Sequence, residues 1–456
     1  MIDIIGQANL LPLDNILIAE NVVIQTMQIS GDGSMGEIKY KSIFILFVLM
    51  IYLSINTTVS AESYTYPELT AETAVLMDAK TGQVLFEKNM NEKKYPASIT
   101  KIMTGMLALE KGNLSDILTM SKEAVFSIGR NTSHIALDVE EELTLEQALY
   151  AVSISSANDA ANGIAEYISG DLESFAQLMN KRAIESGAMN TNFVNSHGLP
   201  DSNHYTTAYD MAKIIMEAIK NPKFREIFSK IRYEMPFTNK QSETRYFHCR
   251  NSLLQGKYQY DGIIASKSGW TSQANHTLVT AAKRGNRELI AVVMDNQSLN
   301  SNYEDTIKLL DHGFHDFLDV LFNVADLETK KPANFNNIED LNLKPDENIA
   351  ILLHKSLSVD DLEANYEVLE SDSNEAVKVK LLLNLKQPNN FMYTSLGYIF
   401  LEAETSTEDI EDFNMDSKST KNYFFSGLGL ICIIIGFRKR RSNRKRKMYL
   451  YRNFRS

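Results

Sequence analysis

The sequence is poor in residues that could cross-link the chain or hold a metal ion. Only two of its 456 residues are cysteine, Cys249 and Cys432, and the second lies inside a strongly apolar run near the C-terminus. We therefore expect no intramolecular disulfide. The histidines lack the spacing of a metal-binding motif. With 44% apolar and 9% aromatic residues, the chain is long enough to bury one large core plus a smaller domain, and packing alone must hold the fold.

Acidic residues outnumber basic ones in the chain as a whole, but the C-terminus is strongly basic. The formal net charge is -12, but the stretch after Phe437 contains ten Lys or Arg and no acidic residue. The preceding part therefore carries 36 basic residues against 58 acidic ones, a net charge of -22. An acidic body with a basic tail favours an arrangement at a membrane surface and argues against nucleic-acid binding.

Residues 35–61 have the features of a secretory signal peptide in the usual order. Two lysines precede an apolar stretch, residues 43–55, and the small residues Val59 and Ala61 follow it. The alternative, an ordinary buried helix, does not account for this order. We expect export, with cleavage after Ala61.

The 34 residues ahead of Met35 do not suit a signal peptide, which normally begins close to its basic flank. They include four acidic residues. We therefore expect translation to start at Met35, so that residues 1–34 are not part of the protein.

A second apolar run, residues 423–437, is the candidate membrane anchor. As a helix it reaches about 22 Å, which is short of the roughly 30 Å of a hydrocarbon core. The basic residues of the segment 438–456 match a stop-transfer flank kept in the cytoplasm, which favours a spanning anchor. The alternative is a tail lying in the plane of the interface. The acidic segment 406–422 suits a flexible linker ahead of the anchor.

Hydrophobic periodicity between these segments predicts strands at both ends of a domain and helices in its middle. The predicted strands are 74–77, 84–86, 260–265, 276–283 and 289–294. The predicted helices are one that follows Ser98 and ends at Gly112, then 145–154, 157–168, 208–219 and 303–322. This order indicates an α+β fold, with one antiparallel sheet flanked by helices. Short apolar and alternating runs in residues 323–405 predict a second, small all-β domain.

The first chemical motif is Ser98-Ile99-Thr100-Lys101. Its serine and lysine are three residues apart at the start of a helix, so that both side chains can lie on one face. Serine needs a base to become a nucleophile, and a lysine can act as that base when burial and neighbouring cations lower its pKa. Alone the motif is weak, because a serine at a helix start is more often a cap.

Two further motifs follow in a characteristic order. Ser156 and Asn158 stand about 55 residues after Lys101, and Lys267-Ser268-Gly269, followed by Trp270 and Thr271, stands about 110 residues farther on. Each motif alone has an ordinary structural interpretation, as a helix cap, a solvated edge charge or a turn. The three together, in this order and spacing, are not explained by coincidence.

The set resembles the penicillin-interacting serine enzymes, and among them the low-molecular-weight penicillin-binding proteins that are D-alanyl-D-alanine carboxypeptidases. The resemblance covers about residues 67–322, within an expected carboxypeptidase domain at 62–322, and it implies a β-lactamase/transpeptidase-like fold. The segment His197-Gly198-Leu199-Pro200 and the string from His204 to Ala212 are close to a signature of these carboxypeptidases, but we assign them no catalytic role. The expected protein is exported to the extracytoplasmic face of a bacterial membrane and anchored there by its C-terminal segment.

The resemblance also implies roles for individual residues. Ser98 would form the acyl-enzyme, Lys101 would accept its proton and Ser156 would relay a proton to the leaving D-alanine. The implied substrate-binding residues are Asn158, Lys267, Ser268, Gly269, Trp270 and Thr271. The expected partners are a peptidoglycan stem peptide ending in D-Ala-D-Ala, and β-lactam antibiotics as inhibitors. No metal or organic cofactor is implied. Relatives usually have threonine at position 268 and often tyrosine at 270, and both changes keep the required groups.

Three alternatives share these motifs. A class A-like β-lactamase would need a glutamate that holds the hydrolytic water, and no Glu-x-x-Leu-Asn precedes the Lys-Ser-Gly motif. A catalytically inactive wall-binding homologue would not need every polar position intact. An endopeptidase acting on peptidoglycan cross-links could use the same residues.

Overall fold

The computed structural model describes residues 66–323, 328–330, 342–343, 348–368, 376–385 and 395–404. The predicted signal peptide, linker, membrane anchor and basic tail lie outside these residues. Within the described ranges, no helix combines the length and apolarity needed to cross a membrane.

The elements are numbered in chain order. The strands are β1 (Thr73–Asp78), β2 (Val84–Lys88), β3 (Ile117–Thr119), β4 (Glu142–Thr144), β5 (Arg232–Met235), β6 (Arg245–His248), β7 (Ile263–Thr271), β8 (Asn275–Arg284), β9 (Arg287–Asn296), β10 (Phe317–Asn323), β11 (Glu328–Lys330), β12 (Asn342–Leu343), β13 (Asn348–His354), β14 (Leu362–Val368), β15 (Ala376–Leu385) and β16 (Ser395–Glu404). The helices are α1 (Lys101–Lys111), α2 (Lys122–Phe126), α3 (Leu145–Ile154), α4 (Asn158–Ser169), α5 (Leu172–Glu185), α6 (Ala208–Ala218), α7 (Pro222–Phe228) and α8 (Leu299–His315).

A five-stranded antiparallel sheet in the order β2-β1-β9-β8-β7 organises the structure. Successive side chains of a strand point to opposite faces, and both faces of β1 are buried. Val75 and Met77 join a core with helices α1, α3, α4 and α6, whereas Ala74 and Leu76 pack with α8. Full burial of each large apolar side chain contributes about 1.5–3 kcal/mol, so this two-sided packing is the main stabilising term.

Most predicted elements are confirmed. The hairpin of residues 74–86 is β1 and β2, and the helix 145–154 is α3 with the predicted bounds. The helix after Ser98 runs to Lys111 and ends at Gly112. Thr207 caps α6, because its hydroxyl accepts a hydrogen bond from the backbone N–H of Asp210 at 3.0 Å.

Two predicted elements have the wrong bounds. The strand predicted at 260–265 is β7, which begins at Ile263 and continues through the whole Lys-Ser-Gly motif to Thr271. Gly262 precedes β7 with a left-handed φ of +89°, and the buried Tyr260 lies before this turn, outside the strand. The predicted helix 303–322 is also wrong at both ends, since α8 spans Leu299–His315 and residues 317–323 form β10. Residues 317–323 form a strand because they pair with β13. A short apolar run alone is compatible with either a helix or a strand.

The sequence patterns did not predict α5, α7, or the strand pairs β3–β4 and β5–β6. In the predicted small β domain, strands β11, β14, β15, β16 and β12 form a five-stranded sheet in that order. The existence of a separate domain at 323–405 stays a prediction.

Candidate active site

The nucleophile candidate lies on a tight turn at the edge of the central sheet. Ser98 belongs to a 3-10 turn, Ala97–Thr100, which we call the nucleophile turn, and this turn runs directly into α1, whose first residue is Lys101. Ala97 has a left-handed φ of 51°, an unusual conformation for a residue with a Cβ. The Lys101 Nζ lies 3.1 Å from the Ser98 Oγ. The predicted contact between the two side chains is therefore present.

Lys101 is completely buried. Its Nζ donates hydrogen bonds to the Asn158 Oδ1 at 2.7 Å and to the backbone carbonyl of His197 at 2.8 Å. Burial holds the pKa of Lys101 well below its usual value, and the nearby charge of Lys267 lowers the pKa further, against an opposing effect of Asp159. These surroundings favour the neutral amine.

The second motif lies at the entry to α4. Ser156 has a left-handed φ of 56°, and Asn158 is the first residue of the helix. Non-glycine residues in this conformation often mark functional sites. The Ser156 Oγ accepts a hydrogen bond from the Lys267 Nζ at 3.0 Å, so this segment connects the lysine of α1 with the lysine of β7.

The third motif lies on β7, the edge strand of the sheet nearest the nucleophile turn. The buried Lys267 also donates to the carbonyl of Ser268 at 2.7 Å. Burial lowers the pKa of Lys267 to about 8, so most of it remains charged at neutral pH.

Gly269 allows close contact between β7 and the nucleophile turn. A Cβ at this position would lie 2.6 Å from the backbone nitrogen of Ser98 and 2.6 Å from the Thr277 Oγ1. The Thr277 hydroxyl in turn donates to the carbonyl of Pro96 at 2.9 Å. A side chain at position 269 would therefore separate β7 from Ser98.

Trp270 and Thr271 are the last two residues of β7, directly after the Lys-Ser-Gly motif. The Trp270 side chain is 61% exposed. The Thr271 hydroxyl accepts a hydrogen bond from the backbone N–H of Ala274 at 3.0 Å and so fixes the turn between β7 and β8. The structure thus brings all the predicted site residues to one edge of the sheet.

The segment that begins at His197 contacts the turn that contains Ser98. Gly198 has a left-handed φ of +89°, and a Cβ there would clash with the carbonyl of Ala97. The His204 Nδ1 accepts from the backbone N–H of Val194, so its Nε2 carries the proton that is donated to the Thr100 hydroxyl at 2.9 Å. Burial lowers the pKa of His204 to about 4 and keeps this arrangement neutral.

This supporting role was missed from the sequence. The functional atom of His197 is its backbone carbonyl, which no side-chain pattern reveals. The sequence feature that could have indicated this role is Gly198. A glycine that is required for close backbone contact indicates a loop with a fixed conformation.

A group that could hold a metal ion lies on other elements. His312, Asp316 and His354 bring one ligand atom each within 4.8 Å of one another, although their sequence spacing gave no such indication. Asp316 is already paired with His312 and with Lys355, each at 2.9 Å. None of these residues contacts Ser98, Lys101, Ser156 or Lys267 in the hydrogen bonds and ion pairs of the described residues.

Residues 57–298 match the family model described as D-alanyl-D-alanine carboxypeptidase, over more than half of the chain. The chain belongs to the D-alanyl-D-alanine carboxypeptidase family. It is a serine-type hydrolase of the penicillin-binding class, as the three motifs indicated.

Two curated members of this carboxypeptidase family show the extent of the similarity. The chain is 34% identical over 313 residues to the D-alanyl-D-alanine carboxypeptidase DacF of Bacillus subtilis, covering 66% of this chain and 77% of the relative. It is 36% identical over 283 residues to DacA of Haemophilus influenzae, covering 59% and 68%.

Solved structures confirm the penicillin-binding fold, with its antiparallel sheet and flanking helices. Penicillin-binding protein 5 from Haemophilus influenzae matches 75% of this chain and 99% of its own, with 28% identity and a TM-score of 0.58. A DD-transpeptidase from Streptomyces matches 55% of this chain and 99% of its own, with 30% identity and a TM-score of 0.52.

Proposed function

We propose that this carboxypeptidase removes the terminal D-alanine from peptidoglycan stem peptides through an acyl-enzyme on Ser98. The observation that carries the proposal is the 3.1 Å contact between the Ser98 Oγ and a lysine amine that is fully buried. Such an amine can take the serine proton while the oxygen attacks the carbonyl of the penultimate D-alanine.

The hydrogen bonds of Lys101 support its role as the base. A neutral amine has two N–H groups and one lone pair. Two of the three polar neighbours of Nζ, the Asn158 Oδ1 and the His197 carbonyl, can only accept hydrogen bonds. When these two acceptors take both N–H groups, the lone pair is left for the hydroxyl proton of Ser98.

The edge of β7 supports recognition of a free carboxylate. Lys267 supplies a buried positive charge, and the hydroxyl of Ser268 can donate to the terminal carboxylate of the substrate. Asn158 holds Lys101 through its oxygen, so its amide nitrogen is the end that can orient the substrate amide. The backbone N–H groups of Ser98 and Trp270 would stabilise the oxyanion, which the close approach of Gly269 to Ser98 permits.

Ser156 connects the acylation step with departure of D-alanine. Its hydroxyl contacts Lys267 at 3.0 Å, and Lys267 with Ser268 forms the proposed carboxylate clamp. We assign it the relay of the proton from Lys101 to the amine that leaves. Water then hydrolyses the ester, releases the shortened peptide and restores the Ser98 hydroxyl.

The direct test is release of D-alanine from a peptide that ends in Lys-D-Ala-D-Ala. The purified protein should release one D-alanine per peptide, and Ser98→Ala should release none. A cross-linked muropeptide in the same assay separates carboxypeptidase from endopeptidase action. Correctly folded protein that releases no D-alanine would contradict the proposal.

Export and anchoring are part of the proposal. The signal peptide 35–61 would be removed, so N-terminal sequencing of the exported protein should begin at Glu62. Retention of residues before Met35 would contradict both the start and the cleavage site. The proposed order of the mature chain is a carboxypeptidase domain, the small β domain, the linker, the anchor and a cytoplasmic tail.

The anchor has its own test. Deletion of residues 423–456 should release active enzyme into the medium, because it removes both the apolar run and its basic flank. If the truncated protein remained on the membrane, a surface elsewhere in the chain would be responsible.

A further inference from the structure

A groove of about 460 Å³ opens beside the turn that follows β7. Its walls include Lys93 and Tyr95, which precede the nucleophile turn, Tyr205 from the segment after His197, and Gln273 and Asp295 from the ends of the sheet. We refer to it as the Lys93 groove. Its volume is in the range of pockets that bind small ligands.

The order of residues along β7 locates this groove relative to the reacting bond. Ser268 belongs to the proposed carboxylate clamp, Gly269 lies against the Ser98 nitrogen, and Gln273 follows after the end of the strand. A substrate that lies along β7, with its terminal carboxylate at Ser268 and its reacting carbonyl at Ser98, would therefore extend its remaining residues toward Gln273. The groove lies in the path of the part of the peptide that is retained after cleavage.

Of the two lysines in the groove, Lys93 is the one without an ion pair among the described residues, and its charge acts only at longer range on the buried Asp210. Lys94 is paired with Asp295 at 2.9 Å and with Glu92 at 2.8 Å. The second oxygen of Asp295 accepts from the Asn275 amide at 2.7 Å, so this carboxylate has partners on both oxygens. Lys93 has no carboxylate within ion-pair distance among the residues that the structure describes.

Lys93 nevertheless has a defined position. Its Nζ lies 4.2 Å from the centre of the Tyr205 ring, a favourable cation–π contact. The backbone of Tyr205 is held by two hydrogen bonds with Asn192, at 2.9 and 3.0 Å. The aromatic ring thus presents an exposed ammonium group at the groove without neutralising its charge.

We propose that the Lys93 groove binds the upstream part of the stem peptide and that Lys93 pairs with a carboxylate there. The inference rests on the proposed function. Gln273 is four residues beyond Gly269, so at a strand rise of about 3.3 Å per residue it lies at most roughly 13 Å away, a span of up to about four extended residues. In a stem peptide, a γ-linked D-glutamate lies two residues before the penultimate D-alanine, and the γ linkage leaves its α-carboxylate free.

The test compares two pentapeptides that differ in this one group. The substrates are L-Ala-γ-D-Glu-L-Lys-D-Ala-D-Ala and the same peptide with the D-glutamate α-carboxylate amidated. D-alanine release is measured for the full chain, for Lys93→Gln, and for the matched control Lys80→Gln, which changes an exposed lysine in the turn between β1 and β2. Lys93→Gln should lower kcat/KM for the acidic peptide about threefold to fivefold, mainly through KM, as for a partly solvated ion pair.

The same variant should leave the amidated peptide and the rate of penicillin acylation unchanged, and Lys80→Gln should change neither peptide. Equal losses on both peptides, or no loss on either, would overturn the assignment of Lys93. If the unsubstituted chain releases D-alanine from neither peptide, the proposed function itself fails and the inference fails with it. If the unsubstituted chain releases D-alanine equally well from both peptides, the inference about Lys93 fails while the proposed function stands.

Discussion

The two sides of the site each contain a buried lysine, but the surroundings give the two amines different properties. On the helix side, Lys101 is fully buried, bonds to Ser98 and to two carbonyl oxygens, and has a pKa well below its usual value. On the strand side, Lys267 bonds to Ser156 and has a pKa of about 8. At neutral pH the first amine can act as a base while the second can act as a positive charge. Position, rather than residue type, separates the two functions.

The largest expected effect comes from removing the amine on the helix side. Lys101→Ala should lower the acylation rate by roughly 10²–10⁴-fold, the usual contribution of a general base. Stopped-flow measurement of penicillin acylation gives the rate, and binding measured separately shows that the loss is in chemistry. Near-normal acylation by Lys101→Ala would transfer the role of base to Ser156 or Lys267.

The contact between the two sides is tested at Gly269. Gly269→Ala places a methyl group 2.6 Å from the Ser98 nitrogen, so β7 or the nucleophile turn must move. We expect acylation to fall on the order of 10²-fold, the effect of losing an oxyanion donor. Thermal unfolding of the variant is the control, because a large loss of stability would attribute the effect to folding instead of oxyanion geometry.

On the strand side, Lys267→Gln removes the charge and keeps a donor. A hydrogen bond to a charged group contributes about 1.5–3 kcal/mol, so kcat/KM for D-alanine release should fall roughly tenfold to a hundredfold. The loss should be in KM more than in kcat. A variant that loses kcat alone would place Lys267 in proton transfer rather than in carboxylate binding.

The smallest expected effect is a dependence of KM on pH that arises from Lys267 and not from Lys101. The charge of Lys267 is present below its pKa of about 8 and is lost as the pH rises through that value. KM should therefore rise above pH 8 in the unsubstituted enzyme and should stay flat in Lys267→Gln. A rise that persists in this variant would show that another group controls it.

The sequence revealed the parts of the site that depend on side-chain type and helical spacing. Ser98 and Lys101 are one turn apart, and this spacing alone predicted their contact. The His197 carbonyl and the approach of Gly198 to Ala97 depend on backbone atoms brought together by the fold, so residue patterns could not show them.

The fold was predicted best where periodicity and burial agree. Helix α3 is apolar and begins at a capping box between Thr144 and Gln147, and its predicted bounds are confirmed. The prediction was wrong after His315 because the short apolar run 317–323 is compatible with either a helix or a strand. Its pairing with β13, which is distant in sequence, decides the outcome.

The central claim is that Ser98 is the nucleophile, and covalent trapping with benzylpenicillin tests it most directly. The drug presents a strained amide beside a carboxylate, so it should occupy the Lys267 and Ser268 clamp and acylate the serine. No Glu-x-x-Leu-Asn motif precedes Lys267-Ser268-Gly269, so the sequence offers no glutamate of the β-lactamase kind to drive water onto the ester, and the adduct should persist. Intact-mass analysis should show one added drug mass, mapped to the peptide that contains Ser98 and absent from Ser98→Ala. An adduct that persists in Ser98→Ala, or no adduct on correctly folded protein, would contradict the account.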